Sequence, residues 1–363
     1  MTGVQPEARS PLLEVLDLRV QFGTDDGVVK AVDGVSFEVF PNEVFAIVGE
    51  SGCGKTVTAL SILNLVPRPH GRIVSGEIRF KGQDLRKLEE DALRRLRGNR
   101  IAMIFQDPLT ALNPVFTVGD QIAEVFRVHK KTPKREAWER AVSLLDLVGI
   151  PRPEQRSRDY PHQFSGGMRQ RAMIAMAVAL DPDLIIADEP TTALDVTIQA
   201  QILDVLLRVK DEFNAAILLI THDLGVVAGV ADSVMVMYAG HVAEMGSCDD
   251  IYFEAKHPYT WGLMTSITRL DLERKERLLP IGGAPPSLIH PPSGCPFHPR
   301  CRFLQPVCSE GYPDLRPVGA AGHVASCHFA QGPDWRPPAE LVAEKVAAPD
   351  PAEAPAVDEA SAG

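Results

Sequence analysis

The octapeptide at 49–56, here called the P-loop, constrains the fold of this chain more than any other stretch. It reads Gly-Glu-Ser-Gly-Cys-Gly-Lys-Thr, follows the apolar run Val44–Val48 and matches the pattern G-x-x-x-x-G-K-[ST]. In that pattern backbone N–H groups surround phosphates, the lysine reaches the β- and γ-phosphates, and the hydroxyl binds Mg²⁺. A buried strand before the loop and a helix over about 56–65 after it give the context that the chemistry requires. The sequence predicts an α/β fold that binds ATP or GTP through Gly49, Glu50, Ser51, Gly52, Cys53, Gly54, Lys55 and Thr56.

A second apolar run, Leu184–Ala187, predicts another buried strand that ends in Asp188 and Glu189. Adjacent carboxylates at a strand end point to opposite sides, so each can have its own task. We expect Asp188 to serve the Mg²⁺ shell, and Glu189 to orient or deprotonate the attacking water. A surface turn closed by the following proline is the alternative, which four preceding apolar residues disfavour.

Two more strand ends carry polar side chains that suit the same chemistry. His222 follows the run 215–220 and can hydrogen-bond the γ-phosphate, although a lone histidine is more often structural. Gln106 follows the run 101–105, and its amide can both donate and accept, which suits a sensor of Mg²⁺ and water. The C-terminal ends of parallel strands share one crevice, so these side chains should converge with the P-loop. The predicted catalytic residues are Lys55, Gln106, Glu189 and His222, and the predicted Mg²⁺ ligands are Thr56, Gln106 and Asp188.

A further phosphate-binding element lies at 164–171, which reads Phe-Ser-Gly-Gly-Met-Arg-Gln-Arg. Ser165 is a helix N-cap residue, and an uninterrupted helix-forming run over 168–180 follows it. Because Gly166 and Gly167 have no side chains, backbone N–H groups and the positive end of the helix dipole can approach an anion closely. Taken alone, these residues favour a capped core helix, because S-G-G is common in turns.

Taken in order, these motifs resemble the ATP-binding subunit of ABC transporters over about residues 12–250. The matching positions are Walker A at 49–56, the Q-loop at Gln106, the signature at 164–168, Walker B at 184–189, the D-loop at 193–195 and the switch histidine at His222. Phe164 and Met168 depart from the common signature L-S-G-G-Q, whereas Ser165, Gly166 and Gly167 are unchanged. The resemblance implies that ATP is held between two ATPase subunits, so that this signature touches the γ-phosphate of the nucleotide bound to the other subunit.

The resemblance also implies a RecA-like core, an N-terminal antiparallel β subdomain and an inserted helical subdomain at about 107–170. Alternating patterns over 12–22 and 35–40, around a turn at 24–27, agree with the β subdomain, and helices are predicted over 118–128 and 134–148. Phe22 occupies the position of the family's adenine-stacking aromatic, and Asp195 of the D-loop is a further nucleotide-binding position. The predicted units are an N-terminal tail at 1–11, an ABC ATPase domain at 12–256, a C-terminal extension at 257–335 and a disordered acidic Ala/Pro-rich tail at 336–363.

Several segments look like the oligopeptide, dipeptide and nickel importer branch of this family. They are the stretches 105–114, 164–171 and 193–199 and, in the extension, 257–260, 283–286 and 294–301. The resemblance implies an ATPase that powers the import of dipeptides or oligopeptides by ATP-driven dimerisation. Nickel or another small solute is the alternative cargo.

Four of the six cysteines, Cys295, Cys301, Cys308 and Cys327, cluster in the Pro-rich extension, which has too little periodic apolar sequence to build its own core. Disulfides are not expected in a cytosolic chain, and the closely spaced cysteine pairs of structural zinc sites are absent. Four thiolates suit an iron–sulfur cluster as well or better, and the branch resemblance points to [4Fe–4S]. The alternatives are Zn²⁺, including a mixed site with His298, His323 or His328, and free or partly oxidised thiols.

Composition limits where the chain works and what it binds. With 45% hydrophobic and 23% charged residues and no apolar run of about 18 residues, we expect a cytoplasmic globular protein. The net charge of −11 argues against general nucleic-acid binding. The resemblance implies a peripheral position on the cytoplasmic face of the inner membrane, with no nucleic acid as partner.

The partners implied by the resemblance are a second ABC ATPase subunit, two transmembrane permease subunits and, indirectly, an extracytoplasmic peptide-binding protein. The second ATPase subunit is either a second copy or, as is frequent in this branch, a different chain. One alternative is an ABC ATPase that acts on ribosomes or DNA, but such proteins usually carry two cassettes or long coiled-coil insertions. Another is a regulatory module in which the nucleotide is structural. The set Lys55, Asp188, Glu189 and His222 argues against that second alternative.

Overall fold

The structure, a computed structural model, describes residues 10–192, 194–265, 281–332 and 335–336. The strands are β1 (Leu13–Thr24), β2 (Gly27–Val39), β3 (Val44–Val48), β4 (Gly71–Phe80), β5 (Gln83–Asp84), β6 (Ile101–Ile104), β7 (Leu184–Asp188), β8 (Ala216–Thr221), β9 (Ser233–Tyr238), β10 (His241–Ser247), β11 (Arg316–Pro317) and β12 (Val324–Ala325). The helices are α1 (Lys55–Ile62), α2 (Glu90–Leu96), α3 (Pro108–Ala111), α4 (Val118–Lys130), α5 (Lys134–Leu147), α6 (Pro153–Arg156), α7 (Gly166–Ala177), α8 (Val196–Phe213), α9 (Leu224–Val227), α10 (Cys248–Phe253), α11 (Pro258–Thr265) and α12 (Val307–Glu310). Short 3₁₀ turns lie at Leu85–Lys87, Pro161–Gln163 and His298–Arg300.

The N-terminal part of the chain forms a four-stranded antiparallel sheet in the order β2-β1-β4-β5. Strands β1 and β2 form a long hairpin that runs from the Leu13–Val39 pair to the Thr24–Gly27 pair. This confirms the predicted antiparallel unit and its turn at 24–27. Strand β2 begins at Gly27, well before the predicted start at Val35, because its first half stays paired to β1 even though its outward residues are polar.

A second sheet has eight strands in the order β11-β12-β10-β9-β3-β8-β7-β6. Strands β6, β7, β8, β3 and β9 are parallel to their neighbours, and the remaining pairs are antiparallel. Every residue of β3, β7 and β8 is buried, which explains their uninterrupted apolar sequence. Their parallel direction brings the ends of β3, β6, β7 and β8, and the polar residues that follow, to one edge of the sheet.

Helices α3 to α6 lie between β6 and α7 in sequence and form the inserted helical region. Helices α4 and α5 match the predicted helices over 118–128 and 134–148 to within two residues. The side chain of Thr117 caps α4 by accepting from the N–H of Asp120 (3.2 Å). Phe126, Leu145 and Phe164 are buried in the core that joins this region to the main sheet.

The C-terminal extension does not stand apart from the ATPase core. Strand β12 pairs with β10 through Glu244–Ala325 and Met245–Val324, so the extension lengthens the main sheet. The ring of Phe297 packs on the rings of Tyr238 (5.2 Å) and Tyr259 (5.4 Å). The extension is therefore stabilised by the apolar surface of the core, which explains how a Pro-rich segment can be ordered.

The predicted tails at 1–11 and 336–363 fall outside the described residues except at positions 10, 11 and 336. Across the described ranges, we find no helix with the length and apolar character needed to cross a bilayer.

Candidate active site

The P-loop wraps the start of α1, which begins at Lys55 directly after Gly54. Gly54 has a φ of 109°, and a Cβ there would lie 2.4 Å from the carbonyl oxygen of Ala31, so only glycine fits. The Lys55 side chain is 4% exposed, and its Nζ donates to the carbonyls of Gly49 (2.8 Å) and Glu50 (3.1 Å). The ammonium is thus held over the hollow of the loop, where a phosphate could replace the two carbonyls.

The predicted Mg²⁺ ligands Thr56 and Asp188 are in direct contact. The hydroxyl of Thr56 donates to Oδ1 of Asp188 (3.0 Å), across the space between α1 and the end of β7. Burial raises the pKa of the Asp188 carboxyl, and the neighbouring Glu189 adds to this, whereas the Thr56 hydroxyl opposes it. A buried carboxylate and a hydroxyl at this distance form an oxygen pair that suits a hard cation such as Mg²⁺.

Glu189 follows β7 in a strained backbone conformation, with φ of 46°. Non-glycine residues seldom adopt this region, and such strain is concentrated at functional sites. The backbone N–H of Glu189 donates to the carbonyl of Ile220 in β8 (2.8 Å), which fixes the turn on the neighbouring strand. The carboxylate is 11% exposed at the edge of the sheet.

The Glu189 carboxylate is the centre of the site. Its Oε2 accepts from Nε2 of Gln106 (3.1 Å) and from the hydroxyl of Thr192 (2.9 Å). Nδ1 of His222 lies 3.5 Å from the same oxygen, and Nζ of Lys55 lies 3.9 Å from Oε1. The predicted catalytic side chains therefore converge, and Thr192 is a member that the sequence patterns did not indicate, because nothing in its spacing sets this hydroxyl apart from others.

His222 and Gln106 lie on the open side of this site. The His222 side chain is 52% exposed, and Gln106 is also exposed. The Glu189 carboxylate, which is only 11% exposed, is thus lined on its outer side by two polar groups that water and phosphate can reach. Such an arrangement can hold a water molecule near a phosphoryl group.

The signature residues lie elsewhere on the surface. Ser165 caps α7 by accepting from the N–H of Met168 (3.3 Å), and both Ser165 and Gly166 are exposed. A Cβ on Gly167 would lie 2.8 Å from Cγ2 of Ile198, so this glycine is needed for close packing against α8. Across the described residues, no hydrogen bond or ion pair joins Ser165, Gly166 or Gly167 to the P-loop.

Two other predicted nucleotide-binding residues have contacts outside the P-loop. Asp195 is exposed and caps α8 by accepting from the N–H of Ile198 (3.0 Å), while Ala193 of the same motif lies outside the described residues. Phe22 is half-buried in the antiparallel sheet, where it opposes Val29 and Gly71. The nucleotide-binding roles of Asp195 and Phe22 stay predictions.

The other P-loop side chains differ in their surroundings. Ser51 and Gly52 are exposed, and Cys53 is 4% exposed. Burial raises the pKa of the Cys53 thiol, which makes it a poor nucleophile. The Glu50 carboxylate pairs with Arg300 of the extension (2.6 and 2.9 Å), a contact that no sequence pattern indicated.

The four cysteines of the extension line one cavity, and none forms a disulfide. Aromatic residues and histidines complete its wall: Phe297, Phe303, Phe329, Trp335, His257, His298 and His328. Burial raises the pKa of Cys295 to about 11 and that of Cys327 to about 12, which favours the neutral thiol at these two residues. In the described ranges no group of three or more His, Cys, Asp or Glu side chains is arranged to hold a metal ion.

The prediction that His323 could join a mixed zinc site is wrong. His323 is fully buried, and its Nε2 lies 2.9 Å from Oε1 of Glu244, whose other oxygen accepts from the N–H of His257 (3.0 Å). His323 does not line the cysteine cavity. Its role is to bind the extension to β10 through a buried carboxylate.

Two protein families match parts of the chain. The family described as ABC transporter matches residues 32–192. The family described as the C-terminal region of oligopeptide/dipeptide transporters matches residues 243–308, which include three of the four clustered cysteines.

Similar proteins cover most of the chain. The dipeptide transport ATP-binding protein DppD of Bacillus subtilis is 53% identical over 316 residues, which are 87% of this chain and 94% of that protein. The oligopeptide transport ATP-binding protein OppD of Salmonella typhimurium is 50% identical over 308 residues, 85% of this chain and 91% of that protein. OppD of Mycobacterium tuberculosis is 53% identical over 319 residues, 88% of this chain and 52% of that protein.

Solved structures agree on the fold. A dimeric ATP-binding cassette in a post-hydrolysis state with ADP and phosphate has a TM-score of 0.59 at 24% identity, covering 65% of this chain and 98% of that chain. The protein cbiO1 from Clostridium perfringens, part of an ABC transporter complex, has a TM-score of 0.57 at 27% identity, covering 67% and 90%. The predicted ABC ATPase fold is confirmed.

Proposed function

The chain belongs to the ATP-binding proteins of dipeptide and oligopeptide ABC transporters, and we propose that it hydrolyses ATP to power peptide import across the cytoplasmic membrane. The observation that carries this proposal is the convergence of Lys55, Gln106, Thr192 and His222 on the carboxylate of Glu189. A regulatory module with a structural nucleotide would not need a buried, strained carboxylate at this point.

ATP binds with its phosphates in the P-loop. Lys55 exchanges its two carbonyl partners for phosphate oxygens, and the backbone N–H groups of the loop surround the β-phosphate. Thr56, Asp188 and Gln106 would hold Mg²⁺, which would neutralise phosphate charge. Binding of the cation requires the ionised Asp188 carboxylate, so it competes with the proton that burial favours.

Hydrolysis uses Glu189 as the base. A water held beside Glu189 attacks the γ-phosphorus, the bond from that phosphorus to the bridging β-oxygen breaks, and the proton of the water passes to the carboxylate. Thr192 and Gln106 fix the carboxylate by hydrogen bonds. His222 holds it on the open side and faces the γ-phosphate.

The second half of each ATP site comes from another ATPase subunit, which is either a second copy of this chain or a different chain. Ser165, Gly166 and Gly167 present backbone N–H groups at the start of α7 to the γ-phosphate bound by that subunit. Hydrolysis removes the γ-phosphate that these N–H groups bind, and the two ATPase subunits then separate. We propose that this motion passes through Gln106 and the helical region to two permease subunits, at the cytoplasmic face of the membrane, and that an extracytoplasmic binding protein supplies the peptide.

A single substitution tests the assignment of the base. Glu189→Gln should retain ATP binding, abolish steady-state ATP hydrolysis and accumulate closed subunit pairs in the presence of MgATP. Phosphate release and size-exclusion chromatography measure these outcomes, and the exposed Glu212→Gln serves as the matched control. Full hydrolysis by the Glu189 variant would remove the proposed role.

We also propose that the four clustered cysteines hold a [4Fe–4S] cluster. Mononuclear zinc would need four sulfurs about 3.8 Å apart around one centre, from Zn–S bonds of about 2.3 Å. A cluster binds its four thiolates through four iron atoms, so it accepts a wider spacing of the sulfurs than one zinc ion does. The lining of one cavity by all four cysteines supports this choice, and the hydrolysis steps do not involve the cluster.

Metal analysis of anaerobically purified protein tests the cluster. The expected result is a brown protein with about four iron and four sulfide per chain, which Cys308→Ser loses and Cys248→Ser keeps. A colourless preparation with one zinc per chain would replace the cluster by the zinc alternative. Metal-free protein with reactive thiols would support the third alternative.

A further inference from the structure

Arg300 of the extension lies in a closely fitted pocket beside the P-loop. Its side chain is 5% exposed, and its two terminal nitrogens donate to the two carboxylate oxygens of Glu50 (2.6 and 2.9 Å). The guanidinium also donates to the hydroxyl of Tyr238 (3.2 Å) and to the carbonyls of Ile281 (3.3 Å) and Gly282 (2.9 Å). A bidentate arginine–carboxylate pair with its remaining donors satisfied is geometrically specific and is among the stronger ion pairs.

The same P-loop residue is held a second time, through its backbone. The N–H of Glu50 donates to the hydroxyl of Tyr259 in α11 (2.9 Å), and Tyr259 is fully buried. The carbonyl of Glu50 accepts from Lys55 and from the N–H of Cys53 (3.3 Å). Side chain, N–H and carbonyl of this one residue are therefore all engaged, and two of the three contacts reach beyond the loop to the C-terminal part of the chain.

Arg300 also belongs to the turn that carries a clustered cysteine. It ends the 3₁₀ turn His298–Arg300, and Cys301 follows directly. The N–H of His298 donates to the carbonyl of Cys295 (3.0 Å), so the turn is fixed at both ends by residues that line the cysteine cavity. A rearrangement of these cysteines would displace Arg300.

We propose that Arg300 is a positioning residue for nucleotide binding, and that through its ion pair with Glu50 the cysteine-bearing extension sets the affinity of the P-loop. This rests on the proposed function, since it takes the P-loop as the nucleotide site. Arg300 acts in two ways. It fixes the first turn of the loop, and it neutralises a carboxylate that would otherwise repel the phosphates.

The charge argument distinguishes this role from simple support of the fold. If Arg300 is removed, Glu50 keeps a negative charge beside the phosphates, and binding weakens. If Glu50 is also made neutral, that repulsion disappears, and binding recovers. Loss of packing alone would give no recovery, because Glu50→Gln keeps the size of the side chain and restores none of the contacts that Arg300 made.

Affinity for MgADP, measured by isothermal titration calorimetry on the full chain, tests the proposal without hydrolysis. Arg300→Met should raise Kd about tenfold, a change equivalent to about one charge-assisted hydrogen bond. Arg300→Met with Glu50→Gln should return Kd to within about threefold of the unsubstituted chain. Arg302→Met, an exposed arginine two residues away, is the matched control and should leave Kd unchanged.

Arg300→Lys keeps the proposal testable if the methionine variant does not fold. Lysine retains the positive charge but cannot form the bidentate pair with Glu50. Kd should therefore rise less than in Arg300→Met, by about threefold. Unchanged Kd in folded Arg300 variants, or a double variant that binds no better than Arg300→Met, would overturn the proposal while leaving the P-loop as the nucleotide site. Failure of the unsubstituted chain to bind MgADP would instead contradict the proposed function.

Discussion

At the scale of single residues, the site depends on the strained backbone of Glu189. Asp188 is the last residue of β7, and the left-handed φ of 46° at Glu189 turns the chain away from the strand direction. The two neighbouring carboxylates consequently have separate partners, the Thr56 hydroxyl for Asp188 and the group around Thr192 for Glu189. One strained residue thus separates the proposed metal ligand from the proposed base.

His257 makes the stability of the protein depend on pH. It is 3% exposed, its Nδ1 accepts from the N–H of Tyr259 (3.0 Å), and burial lowers its pKa to about 4. The unfolded chain therefore binds a proton below about pH 6.5 that the folded chain takes up only near pH 4, so stability falls as the pH falls through this window. From this shift we expect His257 to account for a loss of about 2 kcal/mol between pH 8 and pH 5.

Urea denaturation at pH 8 and pH 5 measures this loss. His257→Gln should reduce the difference between the two pH values by about 2 kcal/mol, whereas His162→Gln, at an exposed position, should leave it as in the unsubstituted chain. An equal pH dependence in all three proteins would show that His257 does not titrate as its burial requires.

Whether a site residue could be predicted depends on its position in the sequence. Asp188, Gln106 and His222 each follow an apolar run, and parallel strands bring such positions to one edge, so local patterns were enough. Arg300 and Glu50 are 250 residues apart, and neither has a neighbouring pattern that marks its partner. Thr192 likewise becomes significant only when the turn after β7 has been seen.

At the scale of secondary-structure elements, the extension shows where strands can no longer be predicted from hydrophobic periodicity. The buried strands β3, β7 and β8 are continuous apolar runs and were predicted to within two residues. Strands β11 and β12 have two residues each, too few to show any period, yet they complete the edge of the main sheet. Their pairing depends on the edge that β10 offers, which no pattern inside the extension could reveal.

Phe297 packs the extension against the ATPase core. It is 4% exposed between the rings of Tyr238 and Tyr259, whose hydroxyls contact Arg300 and Glu50. Phe297→Ala should lower the free energy of unfolding by about 3–5 kcal/mol, the usual cost of emptying a buried phenylalanine site. Phe253→Ala, at a residue 43% exposed, is the control and should change it by about 0.5 kcal/mol or less. Equal small losses in both variants, measured by urea denaturation, would mean that the extension is held by other contacts.

At the scale of the whole molecule, the two predicted phosphate-binding elements lie on separate parts of one chain. The P-loop lies at the edge of the main sheet, whereas Ser165 and Gly166 are exposed at the start of α7. Asp195 and Val196, the latter 78% exposed, lie at the start of the neighbouring helix α8. The family resemblance predicted this division from the order of motifs, and in the proposed mechanism a second subunit completes each site.

The central claim is that one chain alone supplies half of a hydrolytic site. Specific ATPase activity measured against chain concentration tests it most directly, with Glu189→Gln as the blank. We predict little activity per chain at low concentration, and a rise with concentration or on addition of the second ATPase chain, because both halves are present only in a pair. A high activity per chain that stays constant at every concentration would contradict the account, since it would mean that a single chain completes the reaction.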